Sequence, residues 1–160
     1  MNIIRNISQL KPKSWVTYFK VFFLMIDSDK IIEKLKMVKH REGGFFSESF
    51  RDKNNNTSLI YYLLKKDQKS HWHRLTKNEI LHFYEGNPLN VHISEDSKTS
   101  YTKILGRDIF NDENLHLVVS AGSWFSMTSS GSYSLIGCTV APSFDYKDFE
   151  LAPKDWEPGK

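Results

Sequence analysis

The spacing of apolar and polar positions changes period once along the chain. Over residues 27–37, Ile31, Ile32 and Leu35, with Val38 just beyond, recur at the three-and-four spacing of an amphipathic helix, and Asp27 or Ser28 is available as its N-cap. After His40-Arg-Glu-Gly-Gly44, whose glycine pair permits a tight turn, the chain takes on strand composition. Strand-like runs follow at 45–51, 57–64, 79–85, 89–94, 101–105, 116–119, 123–128 and 133–140. Turn chemistry separates them, including Gly86-Asn-Pro88, Ser120-Ala-Gly122 and Ser129-Ser-Gly131. Many short strands with glycine-containing turns and no alternating helices predict an all-β sandwich or barrel, for which a jelly roll of two Greek keys is one standard solution. The expected architecture is a jelly-roll β-barrel preceded by one short N-terminal helix.

One domain is expected over residues 27–153, with 1–26 as an extension and 154–160 as a tail. Residues 15–26 are apolar but include Lys20, and they fall short of the roughly 20 residues that a membrane span requires. No small-residue cleavage site follows them, so a signal peptide is not expected, and two readings of residues 1–24 stay open, an extension of the protein or an upstream addition to a domain that starts at Met25.

Composition sharpens this reading. Aromatic residues make up 14% of the 160 residues, led by Phe and Tyr, which suits strands. The formal charge of +3 arises from 22 basic and 19 acidic residues scattered along the chain, and this argues against nucleic-acid binding. The basic stretch at 65–69 reads as a surface turn between strands. Cys138 is the single cysteine, so no intrachain disulfide can form and a cytoplasmic location is expected. Its place inside the apolar run 135–140 marks it as a core thiol rather than a nucleophile.

The most informative spacing is His71-Trp72-His73, then Glu79, then Gly86. Residues two apart on an extended segment face the same side, so His71 and His73 can offer two imidazoles to one point while Glu79 adds a carboxylate from the next strand. That donor set suits a divalent metal ion with an open coordination position. It resembles the first motif of the cupin superfamily, with five residues rather than the usual three or four between His73 and Glu79. The second cupin motif is degenerate as Ser120-Ala-Gly122-Ser-Trp-Phe125, with Phe125 where a metal-binding histidine would stand.

A longer set of motifs agrees in order across the chain. It comprises His40-Arg-Glu-Gly-Gly-Phe-Phe-Ser-Glu-Ser-Phe-Arg51, His73-Arg74, Asn78-Glu-Ile-Leu-His-Phe-Tyr-Glu-Gly86, Ala121-Gly-Ser-Trp124 and Gly137-Cys-Thr-Val-Ala-Pro-Ser-Phe-Asp-Tyr-Lys-Asp-Phe-Glu-Leu151. Through these motifs residues 31–151 resemble the cupin-5 branch of the RmlC-like cupins. The resemblance implies a jelly-roll barrel, usually a homodimer, with a polar-lined cavity into which Glu48, Arg51, His73, Glu79 and His82 point. Arg41 where Pro is common, Ser143 where Gly is common, and His71 are departures from the family pattern.

Local geometry qualifies several of these positions. Strict alternation from Glu79 sends His82 to the opposite face, so both line one cavity only if a bulge intervenes. Glu48 and Arg51 also fall on opposite faces of an ideal strand. Trp72, Tyr84 and Trp124 are candidates to wall the mouth, because aromatic rings exclude water and stack on flat ligands. His92 is expected to face solvent and His116 to begin a strand.

Three functions are open at this level. The first is an isomerase or epimerase with His73 or His82 as proton-transfer base, Glu79 as its orienting partner and Arg51 as an anion anchor. The second is a metal-dependent cupin with His71, His73 and Glu79 as ligands. The third is a non-catalytic module that captures a small planar or anionic metabolite.

Overall fold

The computed structural model describes residues 27–160. Residues 1–26, including the apolar run at 15–26, lie outside the described residues. The first element is a helix, α1 (Ser28–Lys34), capped by Asp27, whose carboxylate accepts the Asp29 backbone N–H at 3.0 Å. It is shorter than the expected span of 27–37, because Lys36 adopts φ +51° and turns the chain out of the helix. Val38, expected to extend the helical stripe, lies instead in the short strand β1 (Val38–Lys39) and is exposed.

Ten further strands follow: β2 (Phe45–Arg51), β3 (Ser58–Lys65), β4 (Lys69–Leu75), β5 (Glu79–Gly86), β6 (Leu89–Ser94), β7 (Tyr101–Leu105), β8 (His116–Val119), β9 (Trp124–Ser129), β10 (Tyr133–Val140) and β11 (Phe149–Leu151). They pair antiparallel into a six-stranded sheet, β1-β2-β3-β10-β5-β8, and a five-stranded sheet, β11-β4-β9-β6-β7. Sequence neighbours such as β9 and β10 lie in different sheets, so the chain repeatedly crosses between layers, as a jelly roll requires. Among the described residues no helix is long and apolar enough to cross a membrane.

Period-two alternation places one residue set between the sheets. Leu64, Leu81, Leu89, Val91, Leu105, Phe125, Met127 and Ile136 form the centre of the core, each almost wholly removed from water. Helix α1 closes part of the outer face of the six-stranded sheet, packing Ile31, Ile32 and Leu35 with Met37 against Leu63 and Tyr133. The outer face of the five-stranded sheet carries a smaller cluster, in which Trp72 and Trp124 pack with Ala152 and Trp156. The C-terminal segment is thereby held against the barrel, with the Ala152 N–H donating to the Trp72 carbonyl at 2.9 Å.

Candidate functional site

A cavity of about 410 Å³ opens at one end of the space between the sheets. Its floor is polar. The turn between β1 and β2 delivers Glu42, β3 delivers Tyr62, β4 delivers His73, β5 delivers Glu79 and β10 delivers Cys138. Its walls and mouth are largely apolar and aromatic, with Phe46 and Ile60 from β2 and β3, and Phe144, Tyr146 and Phe149 from the segment after β10.

Glu42 reaches the interior because its turn docks onto β4. The His71 N–H donates to the Glu42 carbonyl at 2.8 Å, and the Tyr62 hydroxyl donates to the Gly43 carbonyl at 2.8 Å. Gly43 and Gly44 make the docking possible. Both have positive φ, and a Cβ on Gly43 would collide with the Lys69 carbonyl oxygen. The buried carboxylate then meets three partners. Ser70 Oγ donates to Oε1 at 3.0 Å, while His40 Nδ1 and His73 Nε2 each stand 3.3 Å from Oε2.

Burial by itself raises the Glu42 pKa, but the charge of His73, the hydrogen bond and charge of His40 and the hydrogen bond of Ser70 outweigh it. Glu42 is therefore held below the usual carboxylate range. His73 is fixed by a second contact, its Nδ1 lying 2.7 Å from the His71 carbonyl. A carbonyl only accepts, so Nδ1 carries the proton and Nε2 is left facing Glu42. Any proton between Nε2 and Oε2 is shared by the pair. Burial draws the His73 pKa down against the pull of Glu42.

Glu79 has the opposite environment. It is 8% exposed, hydrogen-bonds no nitrogen or oxygen of the described residues, and has the Cys138 thiol as a polar neighbour. Burial first, and the charge of Glu42 second, push its pKa up to about 8. At neutral pH Glu79 is a carboxylic acid and Glu42 a carboxylate, on the walls of one cavity.

The residues anticipated from the sequence divide sharply. His73, Glu79, Glu48 and Arg51 line the cavity. His71 does not, because β4 carries an extra residue against β9. Ser70 pairs with Met127 and His73 with Phe125, so a three-residue step on β4 spans a two-residue step on β9. Ser70 and His73 share the inner side, while His71 turns away and donates from Nε2 to the Pro153 carbonyl at 3.0 Å. The expected metal set of His71, His73 and Glu79 therefore does not converge. Phe125 packs its ring 4.0 Å from the His73 imidazole, and among the described residues no group of three or more His, Cys, Asp or Glu is arranged to hold an ion. The residues present do not fit a cupin metal shell.

Other corrections have similarly local causes. His82 lies on the outer face of the six-stranded sheet with Nε2 3.1 Å from Thr139 Oγ1, because the register shift between β10 and β5 falls beyond it. Tyr84 shares that outer face, edge-on to Tyr61 and 46% exposed. Trp72 and Trp124 back the five-stranded sheet, where Arg74 lies over the Trp124 ring at 4.5 Å. None of these three aromatics walls the mouth. That role falls to Phe144, Tyr146 and Phe149, with Arg41 over Tyr146 at 4.4 Å. Arg51 is at the mouth, but Nε and Nη2 donate to Glu48 at 3.1 and 2.6 Å and Nη1 donates to the Phe144 carbonyl at 3.1 Å. Its charge is already matched, so it is poorly placed to anchor an anion.

Sequence reasoning missed Glu42 and His40 as site residues, although both stand in the motif that ends in the glycine pair. The available signal was an acidic side chain directly before two glycines, at a turn tight enough to press it against a neighbouring strand.

Comparison with known proteins agrees with this architecture. The Cupin_5 family, described as Cupin superfamily (DUF985), matches residues 29–152, and the chain belongs to that family. A Shewanella oneidensis protein of known crystal structure is 34% identical over 79% of this chain and 84% of its own, with a TM-score of 0.75. A hypothetical protein from Leishmania major is 27% identical over 80% of this chain and 88% of its own, with a TM-score of 0.71. Oxalate decarboxylase from Bacillus subtilis is 14% identical over 71% of this chain and 29% of its own, with a TM-score of 0.58, a likeness of fold alone. A search of curated proteins returns no match.

Proposed function

We propose that this cupin-5 protein binds a small organic molecule in its cavity and moves a proton on it, in a reaction of the isomerase or epimerase kind. The observation that carries the reading is the pair of buried carboxyl groups, Glu42 and Glu79, lining one cavity in surroundings that draw the first pKa down and push the second up. Environments that push two like groups apart in pKa divide them into base and acid. In this reading the Glu42–His73 pair accepts a proton from a carbon next to a carbonyl. Glu79 donates its own to the carbonyl oxygen, giving an enol. Return of a proton to carbon, with Glu79 recovering the oxygen-bound one, completes the cycle with no change in oxidation state.

The division of roles differs from the one expected from spacing. Glu42, not Glu79, is the carboxylate that touches His73, and His82 and Arg51 have no part. The test is solvent exchange. A pool of small carbonyl metabolites incubated with the protein in D₂O is expected to gain carbon-bound deuterium, detected by mass spectrometry. Glu42→Gln and Glu79→Gln, each shown to be folded by circular dichroism, are expected to lose that gain. Full exchange in both variants, or none with the unaltered protein, would sink the proposal. Ligand-induced stabilisation without exchange would instead indicate a module that only binds.

A homodimer is also proposed. Support comes from the outer face of the six-stranded sheet, where Tyr84 and Val118 remain 46% and 52% exposed. Sedimentation at two ionic strengths is expected to give a dimer in which Tyr84→Lys shifts the mass toward the monomer. A wild-type monomer would refute it.

A further inference from the structure

Four acidic side chains, Glu42, Glu48, Glu79 and Asp145, line the cavity, against a single arginine or lysine, Arg51. Glu48 occupies that arginine, and Lys147 stands 3.2 Å from Asp145 on the outside. Within the cavity no arginine or lysine is left to meet a guest, and Glu42 is offset only by the imidazoles of His40 and His73. Glu79 adds an independent sign of a missing partner. It is more than nine-tenths buried, lines the cavity, and has only the weakly donating Cys138 thiol as a hydrogen-bond partner among the described residues. A buried carboxyl group so weakly partnered is costly unless a ligand or water adds a donor. The aromatic residues Phe46, Phe144, Tyr146 and Phe149 complete the surroundings. The faces of such rings attract cations, and a poorly solvated site magnifies repulsion between a carboxylate and an anion.

We propose that the guest is a compact ammonium-bearing molecule, its nitrogen directed to Glu42 and Glu79 and its carbon frame set against Phe46, Phe144 and Phe149. This deepens the reading of the cavity as a ligand site and rests on it. It runs against the expectation of an anionic metabolite, and it excludes phosphate-bearing substrates such as sugar nucleotides, for which the cavity offers no unmatched cation. An ammonium group supplies several N–H donors at once, so one guest can satisfy Glu79 and also compensate the charge of Glu42.

Three probes of nearly equal shape separate the possibilities: 2-phenylethylammonium, 2-phenylethanol and phenylacetate, each titrated calorimetrically into the full chain at neutral pH. The ammonium compound is expected to bind at least about tenfold more tightly than either of the others. In Glu42→Gln and Glu79→Gln its advantage over the alcohol is expected to shrink to about threefold or less. The ranking in the unaltered protein decides the matter even if a variant fails to fold. Phenylacetate or phenylethanol binding as tightly as the ammonium compound would overturn the amine assignment and leave the cavity as a ligand site. Absence of binding by all three would remove the ligand-site reading as well.

Discussion

The two ends of the barrel interior use the same strands in opposite ways. Along β3 the inner side runs from Ser58, Ile60 and Tyr62 at the cavity to Leu64 in the packed core, and along β10 it runs from Val140 and Cys138 back to Ile136. On β5 the change occurs within one alternation step, from Glu79 to Leu81. At the packed end branched aliphatic side chains meet and exclude water. At the other end two carboxyl groups and two imidazoles stand where more leucines would close the barrel. The contrast shows that one end supplies the burial that stabilises the fold, and that the other can therefore tolerate uncompensated polar groups.

The largest expected effect tests the polar end. Glu42→Gln keeps the shape of the side chain but removes the charge, and proton transfer is expected to slow by about 10²- to 10⁴-fold. Deuterium incorporation rates measure this, and an unchanged rate would detach Glu42 from the chemistry. Next comes a paired truncation across the two ends. Leu81→Ala empties a filled site and is expected to cost about 2–5 kcal/mol. Ile60→Ala enlarges an existing void whose wall is already incompletely packed, so its cost is expected at the low end of that range, about 2 kcal/mol. Urea unfolding of both variants gives the difference, and equal costs would erase the distinction between the ends.

A third test uses pH. Glu79 ionises near 4.5 in the unfolded chain and at about 8 when folded. Between those values the unfolded state holds fewer protons, so stability falls as pH rises through that window. Each tenfold difference in proton affinity between the two states corresponds to ~1.4 kcal/mol. Glu79→Gln is expected to flatten this part of the profile and to be relatively most stabilising near pH 8, as read from thermal unfolding at fixed ionic strength. A profile identical to wild type would mean that Glu79 is solvated. The smallest effect belongs to His71→Ala, which removes one hydrogen bond to the Pro153 carbonyl and is expected to cost about 1 kcal/mol. Exchange activity should survive, because His71 contributes to the site through its backbone, and loss of activity would return its side chain to the site.

Part of the site was legible because it depends on alternation alone. Glu79 and Leu81 share one face and His82 takes the other, as a period of two dictates. The same rule misplaced His71. An extra residue on β4 breaks the period between Ser70 and His73, and nothing in His71-Trp72-His73 announces it. Which aromatic residues wall the mouth was not legible. Trp72 and Trp124 back the sheet, while Phe144 and Phe149 reach the cavity.

The sequence by itself determined the architecture: a short capped helix, then short strands whose apolar residues fall on one side, and a glycine pair at the first turn. These features are local, set by backbone sterics and by the spacing of side chains along a few residues. Only the tertiary structure decided which polar groups meet. The bulge in β4 exists against β9, more than fifty residues away, and Glu42 enters the interior because its carbonyl accepts the His71 N–H. Register and docking are settled by partners distant in the chain, so no local pattern records them.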